Sequence, residues 1–169
     1  GINHLIHAVR GNYNVTFILH NNLNYGLTQG QASPTTKESM KMNSSPDGPS
    51  ADPIHPMRLV LSLDPSFAAR TFSGDVRHMT EVLKQAIAHP GFSFVEIYQS
   101  CPTYNKATPH EWYQERVYDV SSIKEYDKTN MLWAREVSED LEEKIAVGVL
   151  YERPTAKTFF DRMVNRAGL

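Results

Sequence analysis

An open, mostly parallel α/β sheet is the fold class this sequence predicts, and three observations predict it. A segment of helical period at residues 1–10 runs into a β-rich apolar strand, and a second helix at 75–89 runs into another such strand, the alternation expected of a parallel sheet. The third observation is size: 169 residues with 40% hydrophobic and 10% aromatic content can bury one good core.

The elements follow in order. Ile2, Leu5, Ile6 and Val9 recur at spacings of three and four and make one apolar helical face; no convincing cap opens this helix, and Gly11-Asn12 ends it. Residues 14–20 (NVTFILH) are β-branched, aromatic and apolar without a break, as expected of a strand covered on both faces. From 32 to 56 the composition turns to Ser, Thr, Pro, Asn and Gly, irregular chain of a length that compact domains keep for function or leave disordered. It is expected to form a lid that orders with a partner.

Residues 58–63 and 67–72 read as short strands. Residues 75–89 read as a helix with Val76, Met79, Val82, Leu83, Ala86 and Ile87 on its buried side, stopped by Pro90-Gly91. Residues 92–99 (FSFVEIYQ) read as the next strand. Beyond Asn105 the aromatic-rich stretch 110–117 is followed by a helix at 129–143, an edge strand at 145–151 and a helix at 155–167.

The totals exclude several functions. With 17 Lys and Arg against 19 Asp and Glu there is no basic excess to neutralise a phosphate backbone, which argues against a nucleic-acid partner. No run approaches the roughly 20 apolar residues that cross a bilayer, and the first residues lack the order of a secretion signal, so no membrane partner and a cytoplasmic location are expected. The single cysteine, Cys101, excludes a disulfide within the chain and, by itself, a complete cysteine-ligated metal site.

Two loops carry chemistry. Both follow strands, where ligands of open parallel sheets sit. In the first, residues 21–35 (NNLNYGLTQGQASPT), Asn22 through its side chain and Asn24 through its carbonyl can fill adjacent positions on Mg²⁺, which asks for six oxygens in octahedral array. Gly26 lets backbone approach a diphosphate, and nearby amides with the Thr28 hydroxyl can donate to it. The plainer alternative is an Asn-Gly turn that merely ends a strand. In the second loop, residues 100–105 (SCPTYN), Cys101 reads on its own as a small buried hydrophobe. His4 and His7, at i and i+3 on the first helix, can share a metal only with a third ligand, so a structural role competes; His20, His55, His78, His89 and His110 have no partner spacing.

Taken together, GINHLIHAVRGN, ILHNNLNYGLTQGQASPTT and SCPTYN in that order resemble the thiamine diphosphate-binding beta subunit of the 2-oxoacid:ferredoxin oxidoreductases, well over residues 1 to about 105 and loosely, through KIAVGVLY, in the tail. The resemblance implies the thiamine diphosphate-binding fold, with helices on both faces of the sheet. It divides the chain into a C-terminal part of the binding domain, residues 1–105, and a C-terminal extension, 106–169. It implies Asn22 and Asn24 as Mg²⁺ ligands, Gly26, Leu27 and Thr28 against the cofactor, Leu27 also toward substrate or coenzyme A, and His4 on the cofactor side. Cys101 becomes the fourth thiolate of a [4Fe-4S] cluster.

In that family a Gly-Asp-Gly motif, which supplies the carboxylate ligand of Mg²⁺, and three further cluster cysteines precede the segment matching Gly1. The chain is therefore expected to be an N-terminally truncated portion of a longer subunit, inactive alone. The implied activity is oxidative decarboxylation of pyruvate or 2-oxoglutarate to acyl-coenzyme A, with an alpha subunit, which also carries the activating Glu, and ferredoxin as partners in a hetero-oligomer. Two alternatives stay open: a thiamine diphosphate lyase or synthase of the acetolactate type, and a non-catalytic scaffold fragment.

Overall fold

One five-stranded sheet organises the computed structural model, which describes residues 1–139 and 142–163. The strands are β1 (Val15–Asn21), β2 (Phe67–Phe72), β3 (Phe92–Tyr98), β4 (Val117–Asp119) and β5 (Ile145–Glu152), in spatial order β1-β3-β2-β5-β4. β1, β3 and β2 run parallel, β5 is antiparallel to β2, and β4 is parallel to β5. The expected open, mostly parallel sheet is therefore present.

Helices cover both faces. On one, α1 (Ile2–Gly11), α2 (Pro56–Ser62) and α5 (Met131–Glu139) bring Leu5, Val9, Met57, Val60, Leu61 and Ala134 onto Phe92, Phe94 and Ala68. On the other, α3 (Val76–Ala88) sets Val82 and Ala86 against Phe67, Ala69, Val95 and Ile97. Because side chains alternate along a strand, β3 feeds both cores, and all seven of its residues are buried. The Asp75 side chain caps α3 by accepting from the His78 N–H at 2.9 Å.

Asn12 ties the start of the sheet together. It ends α1 in the left-handed conformation, φ 50°. Its Oδ1 accepts from Ser66 Oγ at 2.6 Å and Phe92 N at 2.8 Å, and its Nδ2 donates to the Lys157 carbonyl at 2.9 Å.

Several expectations are corrected. Residues 58–63 form helix α2, since Met57, Val60 and Leu61 share one buried side at helical spacing behind a first-turn proline; a short apolar run does not by itself separate strand from helix. β1 is not covered on both faces: among the described residues it pairs with β3 alone, and Val15 and Ile18 are exposed. β5 is interior rather than an edge, because β4 lies beyond it. On α3 Val76 and Ile87 are exposed, and on α1 Ile2 is exposed, since each helix buries a narrower stripe than its apolar pattern offers. α5 ends at Glu139, with 140 and 141 outside the described residues. The helix expected at 155–167 reduces to a 3-10 turn at Phe160–Arg162, and 164–167 lie outside the described residues.

Candidate functional site

The carboxyl ends of β1 and β3 lie side by side, with Asn21 opposite Tyr98, so the loops that leave them meet. Each is short-range in sequence, and the sheet alone makes them neighbours.

The first loop turns sharply at Leu23, whose φ of 60° is unusual for a branched residue and costs roughly 1–2 kcal/mol. Three hydrogen bonds hold it there. Asn21 Oδ1 accepts from Leu23 N at 3.2 Å, Asn22 Oδ1 accepts from Asn24 N at 3.2 Å, and Thr36 Oγ1 donates to the Leu23 carbonyl at 2.6 Å. Thr36 thus draws the 32–56 segment over the turn. Thr35 Oγ1 also donates to Asn21 Oδ1 at 2.8 Å, and Ile54 N to the Pro34 carbonyl at 2.8 Å. Under this cover a cavity of about 30 Å³, room for about one water, is lined by Asn21, Leu23, Thr35, His55, Tyr98 and Tyr113 among others. The segment lies over the turn, anchored by buried Met40 and Met42.

Beneath the turn lies a buried ion pair. Arg70 Nε donates to Glu96 Oε2 at 3.1 Å, and Glu96 Oε1 accepts from Asn21 Nδ2 at 3.0 Å. Burial opposes the Arg70 charge, but the Glu96 carboxylate hydrogen-bonded to it outweighs that, and its pKa is raised. The same burial pushes the Tyr98 hydroxyl far up.

The second loop meets the first at three points. Asn24 Nδ2 donates to Cys101 Sγ at 3.6 Å. Asn105 Nδ2 donates to the Asn22 carbonyl at 3.2 Å. The Tyr104 side chain lies against Gly30, where an added Cβ would stand 2.9 Å from it. Burial raises the Cys101 thiol, but the amides of Tyr104, Asn105 and Thr103 and the Asn24 side chain outweigh it, so its pKa falls below the ordinary value. Low-pKa thiols of this kind are nucleophiles or metal ligands.

Of the residues marked in the sequence, Asn22, Asn24, Gly26, Leu27, Thr28 and Cys101 gather at this edge. Asn24 is buried and Asn22 half-buried, whereas Leu27 is 100% exposed at the tip and Thr28 is exposed. A Cβ at Gly26 would approach nothing closer than Asn24 Nδ2 at 4.0 Å, so space lies open there. His4 is exposed on α1, and no hydrogen bond joins it to either loop among the described residues. No group of three or more His, Cys, Asp or Glu among those residues can hold a metal ion.

A buried polar atom tests whether the set fits a metal and cofactor. Asn24 Oδ1 is buried without a hydrogen-bond partner, which costs about 1–3 kcal/mol if nothing meets it. That open acceptor, the amides around Cys101 and the space at Gly26 fit a ligand seated on the turn. Asn21, Arg70, Glu96, Tyr104 and Asn105 were missed from the sequence. The signal for two of them was a charge of opposite sign inside each of two buried strands, FAARTF and FSFVEIY.

Comparison with known proteins agrees with this geometry. Residues 1–97 match the family model described as thiamine pyrophosphate enzyme, C-terminal TPP binding domain, and residues 101–166 match the model for the C-terminal part of the pyruvate ferredoxin oxidoreductase beta subunit. The chain belongs to the thiamine pyrophosphate enzymes, thiamine pyrophosphate being thiamine diphosphate. Its branch is that of the 2-oxoacid:ferredoxin oxidoreductase beta subunits.

Among relatives, the 2-oxoacid:ferredoxin oxidoreductase subunit beta of Saccharolobus solfataricus is 33% identical over 99% of this chain and 58% of its own length. The 2-oxoglutarate oxidoreductase subunit KorB of Mycobacterium tuberculosis is 44% identical over 71% of this chain and 33% of its own. A solved 2-oxoglutarate:ferredoxin oxidoreductase from Magnetococcus marinus, with 2-oxoglutarate, coenzyme A and succinyl-CoA bound, superposes with a TM-score of 0.89 at 31% identity, covering 96% of this chain and 55% of that one. The chain spans about half the length of the beta subunits it matches.

Proposed function

We propose that this chain forms the Asn and Cys101 side of the cofactor site in a 2-oxoacid:ferredoxin oxidoreductase beta subunit. The enzyme oxidatively decarboxylates a 2-oxoacid, 2-oxoglutarate or pyruvate, to its acyl-coenzyme A and passes the electrons to ferredoxin. The observation that carries the reading is the hydrogen bond from Asn24 Nδ2 to Cys101 Sγ, which joins a metal-type turn to a low-pKa sulfur. A turn that only ended a strand would need neither the sulfur nor the unpaired Asn24 oxygen beside it.

In this reading Asn22 through its side chain and Asn24 through its carbonyl hold Mg²⁺. Gly26 keeps space clear for the diphosphate, and the exposed Thr28 hydroxyl donates to it. Leu27 presents an apolar surface to substrate or coenzyme A and excludes water there. His4, on the first turn of α1, stands on the cofactor side as its weakest contact. Cys101 is one thiolate of a [4Fe-4S] cluster, buttressed by the amides that lower its pKa. When bound, thiamine diphosphate supplies an electron sink for the carbanion and the cluster takes the electrons onward.

The partners that follow are an alpha subunit, ferredoxin, coenzyme A and the 2-oxoacid, within a cytoplasmic hetero-oligomer. No helix among the described residues is long and apolar enough to cross a membrane. The test is Cys101→Ser in the assembled oxidoreductase. Loss of iron and of ferredoxin reduction, with thiamine diphosphate still bound, is expected for both candidate substrates. A cluster-free thiamine enzyme of the acetolactate type would keep full turnover, and that result would reject the proposal.

A further inference from the structure

Asn24 stands where the two loops meet, and its side-chain amide is used in one direction only. The residue is 5% exposed, and the bond from its N–H to Asn22 Oδ1 fixes the backbone from which the side chain projects. Nδ2 donates to Cys101 Sγ at 3.6 Å, while Oδ1 of the same amide is buried with no hydrogen-bond partner among the described residues. A thiolate accepts hydrogen bonds and cannot donate them, so this orientation of the amide is the one that serves a deprotonated sulfur.

We infer that Asn24 is a positioning residue for the Cys101 thiolate, its Nδ2 hydrogen bond to a cluster sulfur raising the reduction potential of that cluster. The inference rests on the reading of Cys101 as a cluster ligand. Adding an electron makes a cluster more negative, and a hydrogen bond to its sulfur is then stronger, which favours the reduced state. Hydrogen bonds to the sulfurs are among the features that set such potentials. The backbone amides of Tyr104, Asn105 and Thr103 also favour the deprotonated sulfur, but they survive any side-chain change. Asn24 is the side-chain donor that can be removed alone. Its carbonyl is also the proposed Mg²⁺ ligand, so with both groups bound one residue would serve both centres.

The experiment is a redox titration followed by electron paramagnetic resonance on the assembled oxidoreductase, comparing the native enzyme with Asn24→Leu and Asn24→Asp. Both variants keep the backbone carbonyl. Each is expected to retain iron and to show a lower midpoint potential, Asn24→Asp the lowest because it adds negative charge as well as removing the N–H. If Asn24→Leu fails to assemble, Asn24→Asp carries the test. An unchanged or raised midpoint in an assembled variant overturns the inference and leaves Cys101 a ligand. Full iron content in Cys101→Ser overturns the underlying reading instead.

Discussion

Asn21 Nδ2 donates to Glu96 Oε1 at 3.0 Å, and through that bond the turn that follows β1 stands on the buried Arg70–Glu96 pair. The pair is almost wholly enclosed, 1% and 0% exposed at the side chains, so its worth lies in being complete. Removing one partner of such a pair strands a charge and costs about 3–5 kcal/mol, whereas replacing both by apolar groups of similar volume is far milder. Arg70→Met alone is therefore expected to lose most of that stability in urea titrations, and Arg70→Met with Glu96→Leu to recover much of it. Equal losses in the single and double variants would contradict this account.

Asn12 makes a second, independent prediction. Replacement by Ala leaves the buried Phe92 N–H unpaired and places a Cβ residue without side-chain compensation in the left-handed region, for an expected loss of about 2 to 4 kcal/mol. Asn12→Gly relieves the backbone but not the amide, and should fall between Ala and the native chain in chemical denaturation.

Stability is expected to fall as pH drops below neutrality. Burial lowers the pKa of His89, against an opposing pull from Glu152 3.7 Å away, and burial with the nearby Arg58 charge lowers that of His55. Both rings protonate more readily in the unfolded chain, near pH 6.5, so the unfolded state binds more protons and stability declines from about pH 7 downward through the lowered folded values. Substituting both by Asn should flatten unfolding midpoints between pH 7 and 5. An unaltered slope would assign the dependence to other groups.

Two glycines separate fold from function. At Gly30, φ is 80° and a Cβ would meet Tyr104 at 2.9 Å, so Gly30→Ala should destabilise the chain by at least about 1–2 kcal/mol. At Gly26 a Cβ has room, and Gly26→Ala should leave stability within about 0.5 kcal/mol. In the assembled enzyme the same change should weaken thiamine diphosphate about tenfold, close to 1.4 kcal/mol, if the cofactor occupies that space. Calorimetry on the two variants reads both effects.

How much of this was legible in the sequence depended on range. α1, α3, β1 and β3 declared themselves through period and composition, and Gly11-Asn12 marked a real stop. The run at 58–63 did not, because six apolar-rich residues fit either period until tertiary packing chooses. β5 was mistaken for an edge because nothing in residues 117–119 announces a strand that short. At the site, Asn22, Asn24 and Cys101 could be picked out as types, but their meeting could not, since it follows from β1 lying beside β3. The Glu96 and Arg70 charges stood in plain view inside apolar strands, and their opposite signs were the clue left unused.

The meeting of Asn24 with Cys101 also has a history within each molecule's own making. The two residues are 77 positions apart, with α2, β2, α3 and β3 between them in the chain. Non-local pairings of this kind form slowly, because chain closure must precede any contact that rewards it. The β1–β3 pairing spans the same 77 residues, so the sheet and the meeting of the two loops close in one non-local step, and an insertion along the intervening chain would slow both together.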